Sequence, residues 1–269
     1  MTKDVSQKEL MFQKDRLAAL GMLSAGLAHE INNPLAYVLA NLRFLSREIF
    51  DLKAQLSNGS KSLVESRPLV AEWAKVLSEA IEGVQQIGKL VKDIKGFARV
   101  DANQDEWFEL QEIVEASLRI VWHELKHRVF LEKRFDAILP CLHGNPSQIQ
   151  QVFVNLLMNA AQAIDTPPGA LGKLEIELSR KDEGIYVLVR DNGRGIPAEH
   201  MSELFKPFFT SKPPGKGTGL GLFICRQLVL GHGGQLRLES RLGKGTSVHI
   251  WLPVQNLKKS TEEFVVAPM

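Results

Sequence analysis

Counted in sevens from Leu10, the chain reads Leu10, Leu17, Ser24, Ile31, Val38, Leu45 and Leu52, an apolar row with one small polar break. A second row follows four residues behind: Gly21, Ala28, Leu35, Leu42, Ile49 and Leu56. Rows so spaced occupy positions a and e of a heptad, which predicts one long helix over 6–56 that lines the core of a helical bundle. Pro34 falls inside it and should bend it, because proline lacks a donor and its ring crowds the carbonyl four residues back. The segment 57–68, punctuated by Asn58-Gly59, reads as a turn. A second helix follows, with Val70, Trp73, Leu77, Ala80, Val84, Ile87, Val91, Ile94 and Ala98 at steps of three and four. Two helices with one apolar face each make an antiparallel hairpin. A hairpin alone cannot bury both stripes, so a dimeric four-helix bundle is the expected completion.

The pattern changes after Arg99. Residues 101–106, DANQDE, are polar and read as a linker. Beyond them the periods mix: a helix near 110–127, strands near 128–134 and 138–143, and a helix over 146–164. Strands near 173–180 and 184–191 come next, then a loop rich in glycine and proline, a helix near 219–230, and strands near 234–240 and 245–252. The joints at Glu183-Gly184 and Gly243-Lys244-Gly245 read as hairpins. This predicts an α/β sandwich with a mixed sheet covered on one face. The expected division is a helical hairpin over 1–100, a linker over 101–106, an α/β domain over 107–254 and a loose tail over 255–269.

Composition narrows the function classes. At 269 residues the chain can hold two cores, and its 44% hydrophobic and 24% charged residues are ordinary for a globular protein. A net charge of +2 with no block of Lys or Arg argues against nucleic acid as a partner. The two cysteines, Cys141 and Cys225, stand in apolar surroundings with no paired spacing, which favours a reducing, cytoplasmic compartment. No run of about 18 apolar residues suggests a membrane segment in this chain, and no signal region is seen.

Four stretches then carry candidate chemistry. His29 falls at position f, away from the apolar rows, with Glu30, Asn33 and Pro34 behind it. A solvated surface histidine is the plain alternative. The helix over 148–164 has a core face of Ile149, Val152, Phe153, Leu156, Ala160 and Ile164. Opposite it run Gln151, Asn155, Asn159 and Gln162, and no residue between Pro146 and Ile164 is charged. Neutral amides suit Mg²⁺ and nucleotide phosphate. Asp191 ends an apolar strand, where a carboxylate can accept from an exocyclic amine, and Gly193 and Gly195 let backbone approach a flat ring. Finally Gly215, Gly217, Gly219 and Gly221 alternate in a loop running into a helix, so free N–H groups and the helix dipole can meet an anion. Thr218 is the expected N-cap, with Lys212 and Lys216 as nearby cations.

Together these stretches resemble the sensor histidine kinases of two-component systems. His29-Glu30-Ile31-Asn32-Asn33-Pro34 is similar to their H box in its HExxN form, and Asn155 to Ala160 to their N box. Asp191 to Gly195 resembles the first glycine box, Phe205 to Phe209 the F box, Gly217 to Gly221 the second glycine box, and Gly243 to Thr246 the last. The match runs over about 10–254, with every box in order.

The resemblance implies a dimerising phosphotransfer bundle followed by an ATP-binding domain of the Bergerat type. It implies that His29 is the phosphoacceptor, that Glu30 orients the ring and takes its proton, and that Asn33 positions a water for removing phosphate from a response regulator. Asn159 would ligate Mg²⁺, with Asn155 contacting the metal or the phosphates. Asp191 would read the adenine amine, with Gly193 and Gly195 along the ring and Thr246 also in the nucleotide site. The lid over 206–218, anchored by Phe205, Phe208 and Phe209, would close over the phosphates, with Lys212, Lys216, Gly217, Thr218, Gly219, Leu220 and Gly221 around them. ATP-hydrolysing relatives carry a glutamate where Asn155 stands, and its absence fits transfer to histidine better than hydrolysis. Gln162 stands where many members have a basic residue, which leaves Lys212 and Lys216 as the phosphate cations. Two other classes are weighed against this reading. One is a Bergerat-fold ATPase or clamp with His29 incidental, opposed by the outward His29-Glu30 pair. The other is a dimerisation adaptor with a dead nucleotide site, opposed by Asn159, Asp191 and the glycines. His123-Glu124-Leu125-Lys126-His127 also matches the HExxH zinc pattern, but no third ligand follows in pattern.

Overall fold

The computed structural model describes the backbone at residues 2–57, 67–98, 105–165, 167, 170–213 and 217–254. Side chains are described at the same residues except 2–25, 67, 92, 93 and 95–98. The expected turn around Asn58-Gly59, most of the linker, the cation Lys216 and the tail over 255–269 lie outside these. Contacts divide the chain into two compact units, Met1–Val100 with Pro207–Leu220, and Asp101–Lys206 with Gly221–Met269.

The first unit is built on two helices, α1 (Thr2–Ser57) and α2 (Arg67–Ala98). Pro34 sits inside α1 with its ring buried, and the helix continues on both sides of it. The two heptad rows of α1 part company. Val38 and Leu45, from the first row, are buried against α2, whereas Leu35, Leu42 and Ile49, from the second, stay exposed. The stripe expected on α2 splits in the same way. Ala80 is buried and Trp73, Ile87 and Ile94 are half-buried, while Val70, Leu77, Val84 and Val91, again seven apart, face outward. At Gly83 the helices pack too tightly for a side chain: a Cβ added there would lie 2.5 Å from Val38 and 2.7 Å from Tyr37. Asn41 crosses the joint by donating from Nδ2 to the Val76 carbonyl at 3.4 Å.

The second unit opens with β1 (Glu106–Phe108), which pairs antiparallel with β3 (Leu142–Gly144). The linker expected over 101–106 thus ends inside a strand. The strand expected over 138–143 is shorter and later, since Pro140 offers no donor to a ladder. Five further strands form a mixed sheet: β2 (Val129–Phe135), β4 (Gly172–Lys181), β5 (Gly184–Asp191), β6 (Gln235–Arg241) and β7 (Gly245–Pro253). Their order is β2-β4-β5-β7-β6, with β2 and β4 parallel and the other neighbours antiparallel. Alternation sorts the faces. Leu174, Ile176 and Leu178 of β4 and Ile185, Val187 and Val189 of β5 are buried toward the helices. The opposite face carries a charge lattice in which Glu175 meets Arg134 at 3.1 Å and Arg190 at 3.4 Å.

Three helices cover the apolar face: α3 (Leu110–Leu125), α4 (Pro146–Ala163) and α5 (Gly221–Gly231), with α4 between the other two. Asn145 caps α4, its Oδ1 accepting from the Gln148 N–H at 3.2 Å, with Pro146 at the first helical position. The expected core face of α4 is buried throughout: Ile149, Val152, Phe153, Leu156, Ala160 and Ile164. Helix α3 stops at Leu125, so His127 lies past its end and does not share a helical face with His123.

His232, just after α5, fastens this layer. Its Nδ1 lies 2.8 Å from the Leu228 carbonyl, which can only accept, so Nδ1 carries the proton. Its Nε2 accepts from the Asn145 N–H at 3.2 Å. The ring is therefore neutral, and burial holds its pKa below the usual histidine value against opposing pulls from the Leu228 carbonyl and from Asp105. The unfolded chain binds a proton that the folded chain refuses, so stability present above about pH 6.5 is lost as pH falls below it. Thermal unfolding followed by circular dichroism between pH 7.5 and 5 should show a declining midpoint, and His232→Gln should flatten that decline. Equal slopes for both proteins would remove His232 as its source.

Candidate active site

In the second unit the chemistry gathers where β5 ends. Asp191 is only 7% exposed there, and its Oδ1 accepts from the Gly193 N–H at 2.8 Å. Burial pushes its carboxyl above the usual range, while the N–H groups of Gly193 and Thr246 pull it down. Asp191 pairs with Thr246 of β7 across the sheet. The loop after it is tied on both sides. Arg194 N–H donates to the Ala163 carbonyl at the end of α4 (2.9 Å), and Gly243 N–H donates to the Arg194 carbonyl (2.7 Å). Gly195 is required here on two grounds: its φ is +68°, and a Cβ would strike the Arg241 carbonyl. A Cβ at Gly193 would lie 2.5 Å from the Ala163 carbonyl oxygen.

The amide stripe leads into the same loop. Asn155, Asn159 and Ala163 follow at steps of four along α4, and both asparagines are half-buried. Helix α5 begins beside them, where a Cβ added to Gly221 would come within 4.0 Å of Asn155 Cγ. Cys225 packs one turn further, its Sγ donating to the Val152 carbonyl at 3.7 Å. Burial pushes this thiol up to about 12, and a hydrogen bond with the Asn155 side chain opposes that rise. Cys225 is thus an inert packing group, and both cysteines are free. Neutral oxygen donors on a half-buried helix face fit a hard divalent cation shared with phosphate.

In the first unit, the segment Pro207–Leu220 turns sharply: Phe208 has a φ of +66° and Gly219 a φ of +65°. Thr210 Oγ1 accepts from the Lys212 N–H at 3.1 Å. Thr218 does not cap α5, which starts at Gly221; its hydroxyl accepts instead from the Leu220 N–H at 3.4 Å. Leu220 is buried, and Lys212, Gly217, Thr218 and Gly219 are half-buried. Of the phenylalanine anchors, Phe205 belongs to the second unit and lies under the Arg226 guanidinium at 5.3 Å. On α1, His29 and Asn33 are exposed one turn apart, and Glu30 is half-buried.

The structure thus brings Asp191, Gly193, Gly195 and Thr246 together, with Asn155 beside Gly221. The sequence pattern did not single out Ser240, which contacts both Ile196 and Thr246, or His232. A serine in an alternating strand and a histidine among glycines carry no local mark.

Comparison with known proteins agrees with this layout. Residues 19–103 match the His Kinase A (phospho-acceptor) domain, and residues 144–256 match the histidine kinase-, DNA gyrase B-, and HSP90-like ATPase family. The chain is 30% identical over 254 residues to the sensor histidine kinase ZraS of Escherichia coli, covering 94% of this chain and 49% of that protein. It is 31% identical over 244 residues to sporulation kinase D of Bacillus subtilis, covering 90% of this chain and 43% of that protein. This chain therefore spans half or less of the length of these relatives. Among solved structures, histidine kinase ThkA in complex with response regulator protein TrrA shares its fold, with a TM-score of 0.62 and 22% identity over 94% of this chain and 68% of that one. Among the described residues, no helix is long and apolar enough to cross a membrane. With a phospho-acceptor hairpin followed by an ATPase-type α/β domain, the chain belongs to the two-component histidine kinases.

Proposed function

We propose that this chain uses ATP to phosphorylate His29 and then passes the phosphoryl group to an aspartate of a response regulator. The observation that carries the reading is the exposed His29 with Glu30 beside it on α1. In the first step the imidazole attacks the γ-phosphorus of ATP, a nitrogen–phosphorus bond forms, and the bond to ADP breaks. Glu30 takes the imidazole proton. Asp191 accepts from the adenine amine, and the backbone at Gly193 and Gly195 lies along the ring. Asn159 and Asn155 would hold Mg²⁺, which when bound would neutralise phosphate charge. The resemblance assigns phosphate binding to Lys212, Lys216, Gly217, Thr218, Gly219, Leu220 and Gly221. Asn33 positions the water by which the same protein dephosphorylates its regulator. The phospho-acceptor family and the solved complex of ThkA with TrrA support the regulator as partner. A cytoplasmic location is part of this proposal; the two free cysteines are compatible with a reducing compartment.

A second copy completes the bundle. Leu35, Leu42 and Ile49 on α1 and Val70, Leu77, Val84 and Val91 on α2 form two exposed rows at heptad spacing, which a second hairpin would bury. Sedimentation returning a 30.0 kDa particle at micromolar concentration would count against the dimer. The central test is incubation with γ-labelled ATP and Mg²⁺, followed by acid and alkali treatment. Label on the protein that is lost in acid and survives base identifies a phosphoramidate; acid-stable label would send the phosphate to another residue type.

A further inference from the structure

Ser240, the sixth residue of β6, holds three polar partners from two segments. Its Oγ lies 2.9 Å from the Ile196 N–H, 2.9 Å from the Gly245 carbonyl and 3.0 Å from Thr246 Oγ1. A serine hydroxyl has one proton to give and two lone pairs to receive. The Gly245 carbonyl can only accept, so it takes the Ser240 proton. The Ile196 N–H can only donate, so it fills one lone pair. The slot left for Thr246 is an acceptor slot, and Thr246 must spend its own hydroxyl proton on Ser240. Thr246 Oγ1 then offers lone pairs alone to anything else beside it.

Thr246 is the cross-strand partner of Asp191, and its N–H donates to the Asp191 carboxylate. Two side chains that can only accept therefore stand together at the end of β5. Adenine carries an amine donor on its six-membered ring where guanine carries a carbonyl. The two hydrogens of that amine can each meet an acceptor set against that position, whereas a carbonyl there is repelled by both acceptors. We propose that Ser240 is a positioning residue for purine selection. It fixes the Thr246 hydroxyl proton away from the base and, through Ile196, holds the loop that carries Gly193 and Gly195. This inference rests on Asp191 reading adenine.

Calorimetric titration of ATP and GTP, with Mg²⁺, against the wild-type chain, Ser240→Ala, Ser240→Thr and Asp191→Asn tests it. In Ser240→Ala the Thr246 proton is released and can turn toward a guanine carbonyl. The preference for ATP over GTP should narrow about tenfold, the scale of one buried hydrogen bond. Ser240→Thr keeps the hydroxyl and should hold the wild-type preference within about threefold. An unchanged preference in Ser240→Ala overturns the assignment. So does an equal loss of both nucleotides, which a merely loosened loop would produce. If Ser240→Ala does not fold, Ser240→Cys keeps the volume with a weak donor and is read by the same outcomes. Failure of the adenine reading itself looks different: the wild-type chain would show no ATP preference, or Asp191→Asn would leave that preference intact.

Discussion

His29→Ala is expected to abolish self-labelling from γ-labelled ATP while leaving ATP affinity within about twofold. The first half follows from chemistry. An alanine offers no nucleophile, and nothing in the box from Glu30 to Pro34 can replace an imidazole: Glu30 forms a mixed anhydride at best, and the amides of Asn32 and Asn33 are not nucleophilic at neutral pH. The second half follows from placement. His29 is an exposed residue of α1, whereas Asp191, Gly193, Gly195, Thr246, Asn155 and Asn159 all belong to β5, β7, α4 and the loop after Asp191. The substitution also costs the fold little, since it removes an exposed side chain and alanine favours helix. Filter retention of label, compared with calorimetric ATP titration, measures both halves. Label persisting in the variant would move the acceptor elsewhere and remove the basis of the proposed reaction.

Glu30→Gln should lower autophosphorylation by roughly 10²- to 10⁴-fold, the usual worth of a positioned general base, with ATP binding retained. The change is near isosteric, so charge and basicity are what it removes. Asn33→Ala should behave differently. Asparagine cannot act as a base at neutral pH, but it can hold a water in line with a regulator's phosphoaspartate, a positioning role. This variant should label itself almost normally and fail to dephosphorylate its regulator. Pro34 restricts the backbone at Asn33, so circular dichroism must first show the helix intact. Equal loss of self-labelling in the two variants, with helices preserved, would defeat this division of labour.

The hairpin was legible because a helix displays its buried side every third or fourth residue, and the rows from Leu10 and Gly21 repeat long enough to be read. Which row faces α2 was not legible, since Val38 and Leu45 are no more apolar than Leu42 and Ile49. The fold chose the first row, and Gly83 lets the two backbones approach there. The sheet was equally readable where alternation is strict: β5 spans 184–191, as its pattern predicts. Strand β1 was not, because three residues hold no period and its partner β3 lies more than thirty positions on. In the candidate site, Asp191, Gly193 and Gly195 were legible as an acid and two glycines at the end of an apolar strand, a pattern that gained weight only from the other boxes in order around it. Ser240 and His232 did not. Ser240 sits 44 positions from Ile196, and His232 sits 87 from Asn145. Periodicity records which face of an element is buried; it carries nothing about which distant backbone group a small polar side chain will meet. That meeting is set by β6 pairing with β7 beside the loop after Asp191, and by α5 ending next to the cap of α4. Only the tertiary structure supplies those two juxtapositions.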